Sequence, residues 1–247
     1  MKRVVPAVVT ILFGLLLVPA AAAEKPRPAR FLHDLKSGKK VTIVTMGTSL
    51  TAGAGSWPDV MLKDWLDQQW PGQVTVFNEA VSGSASSAGP GDQSGLAVLP
   101  KVIAHQPDVV FIEFAINDAY LPYNISVANS QNNVGTMIEA ILAARPKAEV
   151  ILQTMNSIKD KPDIKHSSVR PELPAYYQGY RDVAKKRKLL LVDNFSNWLQ
   201  IMNESPEVFD RLVPDGIHPA ADGYRQVLLP QLQATLTGAK IKKKRGR

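Results

Sequence analysis

The chain has 247 residues, of which 45% are hydrophobic and 21% charged, as expected for a globular protein that buries a core. It has no cysteine, which excludes a disulfide framework and a lipoprotein-type lipidation site. The net charge of +7 sits at the ends: Lys2 and Arg3 lead the chain, and Lys240, Lys242, Lys243, Lys244, Arg245 and Arg247 close it. Without those cations the remainder carries −1, which argues against a nucleic-acid-binding domain, since such a domain carries its basic residues on the fold.

Residues 1–23 read as a secretory signal peptide: a basic start, an apolar run from Val4 to Val18, and the small residues Ala21 to Ala23 before Glu24. The alternative is an uncleaved anchor, for which the run is short and interrupted by Pro6. The expected location is secreted or periplasmic, with no transmembrane segment left after cleavage. Residues 24–40 form a Pro- and Lys-rich lead-in, 41–237 the domain, and 238–247 a basic tail, expected to be a solvated end or to touch anionic polymers.

Within the domain, short aliphatic runs alternate with helical patterns. Strands are expected over 41–46, 74–78, 108–114, 148–155 and 189–194. Helices are expected over 56–70, with Ser56 as N-cap and Pro58 in the first turn, and over 96–105, kinked or broken at Pro100. Further helices are expected over 130–145, 174–188 and 219–236, the last kinked by Pro230. This alternation predicts an α/β fold: a three-layer α/β/α sandwich on a five-stranded parallel sheet, flavodoxin-like. Ligands of such sheets bind beyond the carboxyl ends of the strands, so the residues just after each strand carry the information.

Those residues are Gly47-Thr48-Ser49 after the first strand, "NEAVSG" ending at Gly83 after the second, "AIND" (115–118) after the third, and "PDGIHP" (214–219) near the end. Together they resemble the SGNH hydrolase superfamily, also called GDSL-type lipases and esterases. The resemblance covers about residues 41 to 236 and implies a serine ester hydrolase. Its nucleophile would be Ser49, with Asp215 and His218 as the acid and base. Its oxyanion hole would consist of the N–H groups of Ser49 and Gly83 and the side-chain amide of Asn117. Three positions depart from the family pattern: Thr48 replaces the aspartate of the GDS motif, Ala115 the glycine of GxND, and Ala80 a glycine of the second block. None removes a catalytic atom.

The chemistry is coherent at these positions. A serine hydroxyl is a weak nucleophile until a base takes its proton, and imidazole does so near neutral pH. An aspartate three residues before the histidine can hold the ring tautomer if the segment turns, which Pro214, Gly216 and Pro219 favour. The competing phosphate-loop reading of 47–56 lacks the GxxxxGK[ST] spacing, and no GxSxG elbow occurs. Asn117-Asp118 alone reads as a turn, with Asp118 in support. His33, His105 and His166 read as structural or solvated. No spacing indicates a metal site, and no cofactor is expected.

For the substrate, Tyr120 and Tyr123 follow the Asn117 block and are expected to overhang the site. Trp57 begins an amphipathic helix and reads as core. The long polar loop 156–173 argues against a long acyl chain. The expectation is therefore removal of small acyl groups, acetyl above all, from a carbohydrate, so that the partner is a small-molecule or polysaccharide ester. The alternatives are a lysophospholipase or thioesterase acting on lipid acyl chains, and a non-catalytic carbohydrate- or envelope-binding module.

Overall fold

The structure, a computed structural model, describes residues 27–239. The leader expected over 1–23 and the cationic part of the tail, 240–247, lie outside the described residues. Five strands form one parallel sheet: β1 (Val41–Gly47), β2 (Val74–Asn78), β3 (Val109–Glu113), β4 (Glu149–Thr154) and β5 (Leu190–Asp193). Their order across the sheet is β2-β1-β3-β4-β5, the flavodoxin-like arrangement. β3 and β4 are buried along their whole length, as their continuous apolar runs require in a sheet covered on both faces.

One face is covered by helices Gly95–Ala104, Val127–Ala144 and Leu173–Arg187, which pack on one another; the other by the helix that starts at Trp57 and the last helix of the domain. Helix Gly95–Ala104 is continuous through Pro100 rather than broken there. The helix expected from 130 starts at Val127, where the Ser126 side chain accepts the Asn129 N–H. Ser56 stands at an N-cap position but does not cap: its hydroxyl donates to the carbonyls of Thr51 and Gly53 instead. A π turn at Tyr224–Leu228 directly precedes the stretch Leu229–Thr237 that holds Pro230, and such wide turns accommodate a missing N–H donor.

Two segments carry structure that their composition did not announce. The lead-in contains helix Arg30–Lys36, whose Phe31, Leu32 and Leu35 enter the main core, so the fold begins before residue 41. Helices Phe195–Glu204 and Pro206–Leu212 follow β5 and enclose a second small core around Trp198 and Phe209. Among the described residues no helix is long and apolar enough to cross a membrane.

Candidate active site

β1 ends in a tight turn through Thr48, Ser49 and Leu50, closed by N–H groups of Thr51 and Ala52 on the Thr48 carbonyl. The turn is tied down from below by Glu113, the last residue of β3 and the register partner of Gly47. Its Oε1 accepts from the Thr48 N–H (2.7 Å), the Thr48 hydroxyl (3.0 Å) and the Thr51 hydroxyl (2.6 Å). Burial raises the Glu113 carboxyl to about 7 even though these donors pull it down, and nearby Asp118 adds to the rise. Thr48 thus has a clear use as a donor to a buried carboxyl. Trp57 is buried against Phe111 with its indole N–H on the Thr51 hydroxyl, in keeping with a core role.

Across the sheet rim, the 214–219 loop brings Asp215 and His218 to Ser49. Gly216 has φ +85°, and a Cβ there would fall 2.1 Å from the Lys159 carbonyl, so only glycine fits. The loop is held by the Lys159 N–H on the Gly216 carbonyl, the Asn156 amide on the Ile217 carbonyl, and His166 Nε2 on the Asp215 carbonyl. Asp215 Oδ1 accepts the N–H groups of Ile217 (2.9 Å) and His218 (2.7 Å). Its Oδ2 lies 2.6 Å from His218 Nδ1, and His218 Nε2 lies 2.9 Å from Ser49 Oγ. Burial alone would raise the Asp215 carboxyl, but the two backbone N–H groups and the imidazole outweigh it and hold the value below its usual range. An ionised carboxylate only accepts, so the proton belongs on Nδ1 and Nε2 is left to accept from the serine hydroxyl.

Facing Ser49 are the loop after β2 and the short helix Ala115–Asp118 after β3. Gly83 has φ +80°, a backbone that glycine adopts without strain. Among the described residues the N–H groups of Ser49 and Gly83 have no acceptor. The Asn117 amide donates one N–H to the Ser84 carbonyl (2.9 Å), and its Oδ1 accepts from Arg170 (3.3 Å), which leaves a second N–H for a ligand. Ala115 is helical, so the family glycine is not needed there. Asp118 supports the segment from inside the fold. It is buried, accepts from the Ser86 N–H and the Ser130 hydroxyl, and is raised to about 6 by burial, which those donors only partly offset.

A cavity of about 500 Å³ opens over Ser49 and His218, walled by Ser82, Tyr120, Tyr123, Arg170 and Ile217. Tyr123 donates its hydroxyl to the Gly83 carbonyl, and its ring meets Tyr120 edge-on at 5.3 Å. The Arg170 guanidinium lies 4.6 Å over the Tyr120 ring.

All the residues expected at the site are therefore brought to one rim, in an order of contacts that acyl transfer could use. A family model described as GDSL-like lipase/acylhydrolase matches residues 45–226, a span that contains every one of them. The chain belongs to the GDSL-like lipase/acylhydrolase family.

Members of this family are ester hydrolases, and the fold is shared with solved relatives. A structure described as a GDSL-like lipase from Parabacteroides merdae superposes with a TM-score of 0.69 at 17% identity, over 86% of this chain and 98% of that one. Axe2, an acetylxylan esterase from Geobacillus stearothermophilus, superposes at 0.64 with 18% identity, over 83% and 98%. In sequence, Thioesterase 1/protease 1/lysophospholipase L1 of Escherichia coli strain K12 is 34% identical over 83 residues, 31% of this chain and 35% of that protein. The chain thus spans about a third of the length of the curated relatives it matches.

Within this GDSL-like domain the sequence left two site residues unremarked. Glu113 had one signal, a lone acid in the otherwise apolar run of β3. Arg170 had none, being one of several basic residues in a long polar loop. Of the remaining histidines, His105 pairs with Glu79 (2.7 Å) and stacks on Phe77, His166 holds the Asp215 loop, and His33 is exposed. Among the described residues no cluster of three or more His, Asp or Glu is placed to hold a metal.

Proposed function

We propose that this GDSL-like hydrolase removes small acyl groups, acetyl above all, from an exported or extracellular carbohydrate through an acyl-enzyme at Ser49. The observation that carries the reading is the hydrogen-bonded line Asp215–His218–Ser49 opening into a cavity lined by Ser82, Asn117, Arg170 and two tyrosines, with Ile217 as its one aliphatic side chain. His218 takes the Ser49 proton as Oγ attacks the ester carbonyl, and Asp215 stabilises the imidazolium that forms. The oxyanion is received by the N–H groups of Ser49 and Gly83 and the free N–H of Asn117. As the intermediate collapses and the bond from the acyl carbon to the sugar oxygen breaks, His218 gives its proton to that oxygen, and water repeats the sequence on the acyl-enzyme to release the acid. The fold shared with an acetylxylan esterase fits this reading without deciding the sugar.

A second reading has an observation of its own. An apolar recess of about 200 Å³, lined by Ile158, Leu173, Phe195, Leu199 and Met202, adjoins Arg170, which also lines the cavity over Ser49. It would suit a longer acyl chain, as expected of a thioesterase or lysophospholipase. A nitrophenyl ester series, run beside acetylated xylan, separates the two. The acetyl reading expects the highest kcat/KM on acetyl and propionyl esters; a preference for decanoyl would reject it. Full activity in Ser49→Ala would reject the acyl-enzyme at Ser49, and no ester hydrolysis by the wild-type protein would favour a non-catalytic module. Export is tested by the N-terminal sequence of the mature protein, expected to begin near Glu24.

A further inference from the structure

The net charge of the described residues hides a strong polarity. In a parallel sheet all strands begin at one rim, and the helices that follow them end there. In this fold that rim collects basic residues from separate parts of the chain. The turn into β1 carries Lys39 and Lys40, and the turn into β4 carries Arg145 and Lys147. The end of helix Leu173–Arg187 brings Lys185, Lys186 and Arg187, with Lys188 just before β5. Helix Arg30–Lys36 joins the same rim, since the Phe31 N–H bonds Glu149 at the start of β4, and it adds Arg30 and Lys36. Arg27 reaches the Lys188 carbonyl. Eleven basic side chains stand here against five acidic ones, Asp34, Asp67, Asp108, Glu139 and Glu149, while the other described residues hold nine basic and sixteen acidic.

The arginines and Lys39 at this rim are engaged with carboxylates or carbonyls. Six lysines, 36, 40, 147, 185, 186 and 188, are exposed, and among the described residues they have no carboxylate partner. Lysines are hydrated point charges without the planar fork that reads individual phosphates. The large exposed apolar side chains, Phe77, Leu121 and Ile164, lie near the opposite rim, so among the described residues no large apolar side chain stands here to insert into a bilayer or stack on a base. The face spans β1 to β5, roughly 14 Å across the strands. Both ends of the described chain meet at it: the Ala29 N–H bonds the Leu236 carbonyl. The six cations of 240–247 therefore follow directly on a chain end that stands at this pole.

We infer that the pole opposite the catalytic rim is a docking face for an anionic lipid surface, held by diffuse attraction between its lysines and acidic headgroups. The polybasic tail that follows at this pole, beside a broad lysine face with no fork for single phosphates, favours a membrane over a soluble polyanion. Docking this way holds Ser49 roughly 20 Å from the headgroups, the length of β1, facing away from them. The docking is independent of which ester the site cleaves.

The test is co-sedimentation of the purified protein with vesicles of phosphatidylcholine, with and without about one-third phosphatidylglycerol. The expected result is binding to the anionic vesicles alone, lost as NaCl rises from about 0.05 to about 0.5 M. The triple variant Lys40→Glu, Lys147→Glu, Lys188→Glu is expected to bind at least about tenfold more weakly, at unchanged nitrophenyl acetate turnover. The corresponding glutamine triple variant, expected to lose several-fold, covers the case in which charge reversal disturbs folding. Equal binding to neutral vesicles overturns the inference, as does undiminished binding by both triple variants, which would leave the tail as sole contact. Retention on an acidic polysaccharide or duplex DNA without vesicle binding also overturns it.

Discussion

The Arg170 guanidinium donates to the Asn117 side-chain oxygen at 3.3 Å while its Nε donates to the Ile116 carbonyl at 2.9 Å. With Oδ1 held by a cation and one N–H held by Ser84, the Asn117 amide cannot flip, and its remaining N–H stays aimed at the cavity. Arg170 is thus a positioning residue. Asn117→Ala is expected to lower kcat about 100- to 1000-fold, the usual cost of an oxyanion donor. Arg170→Met is expected to lower kcat about tenfold, the scale of one hydrogen bond, with KM nearly unchanged. Steady-state kinetics on nitrophenyl acetate checks both.

Tyr123 has its hydroxyl committed to the Gly83 carbonyl, which orients the Gly83 peptide. Tyr123→Phe keeps the ring and loses that bond. The expected outcome is a several-fold fall in kcat, within about one hydrogen bond's worth, and little change in KM. A rise in KM with kcat intact would instead make the hydroxyl a substrate contact.

Asp215→Asn replaces an acceptor that holds the Nδ1 proton with a group able to donate. The ring then loses its fixed tautomer, and turnover at neutral pH is expected to drop on the order of 10³- to 10⁴-fold. Circular dichroism should be unchanged, which separates this variant from one that unfolds the loop.

Gly216→Ala should do the latter. The new Cβ meets the Lys159 carbonyl on a backbone with φ +85°. Activity is expected to fall at least as far as in Asp215→Asn, now with a lower melting temperature, because overpacking and φ strain together cost roughly 2–4 kcal/mol.

Glu113 predicts a pH-dependent stability. Its carboxyl is raised from 4.5 to about 7 by burial, so between those values the native protein keeps a proton that the unfolded chain has released. Stability from this group is complete below the unfolded value, declines across the window, and is gone above about 7. Glu113→Gln stays neutral throughout. Its stability should therefore rise relative to wild type between pH 4.5 and 7.5, by no more than about 3.4 kcal/mol, and its melting temperature with it. Parallel thermal melts of the two proteins check the direction.

The strands were readable because each is local, and the candidate site residues because their short motifs resemble those of a known family. Continuous aliphatic runs mark buried parallel strands, and Ser49, Gly83, Asn117, Asp215 and His218 each follow a strand or stand in a Pro- and Gly-rich turn. Helix Arg30–Lys36 was hidden in a Pro- and Lys-rich stretch because its burial depends on a core built by later residues. Glu113 could be seen as an odd acid in a strand, yet its use depends on Thr48 and Thr51 lying above it, 65 and 62 residues earlier in the chain.

By itself, the sequence determined the α/β class and placed a polar turn after each of several strands, since periodicity and turn chemistry act over a few residues; the nucleophile, base and acid candidates came from the resemblance of those turns to the SGNH hydrolases. Tertiary structure alone decided that Arg170 clamps Asn117, that a buried carboxyl anchors the Ser49 turn, and that a chain of near-zero body charge has a basic pole. Those are contacts and fields between residues far apart in sequence, and Coulomb energies depend on where charges stand, which a sum over the chain cannot record.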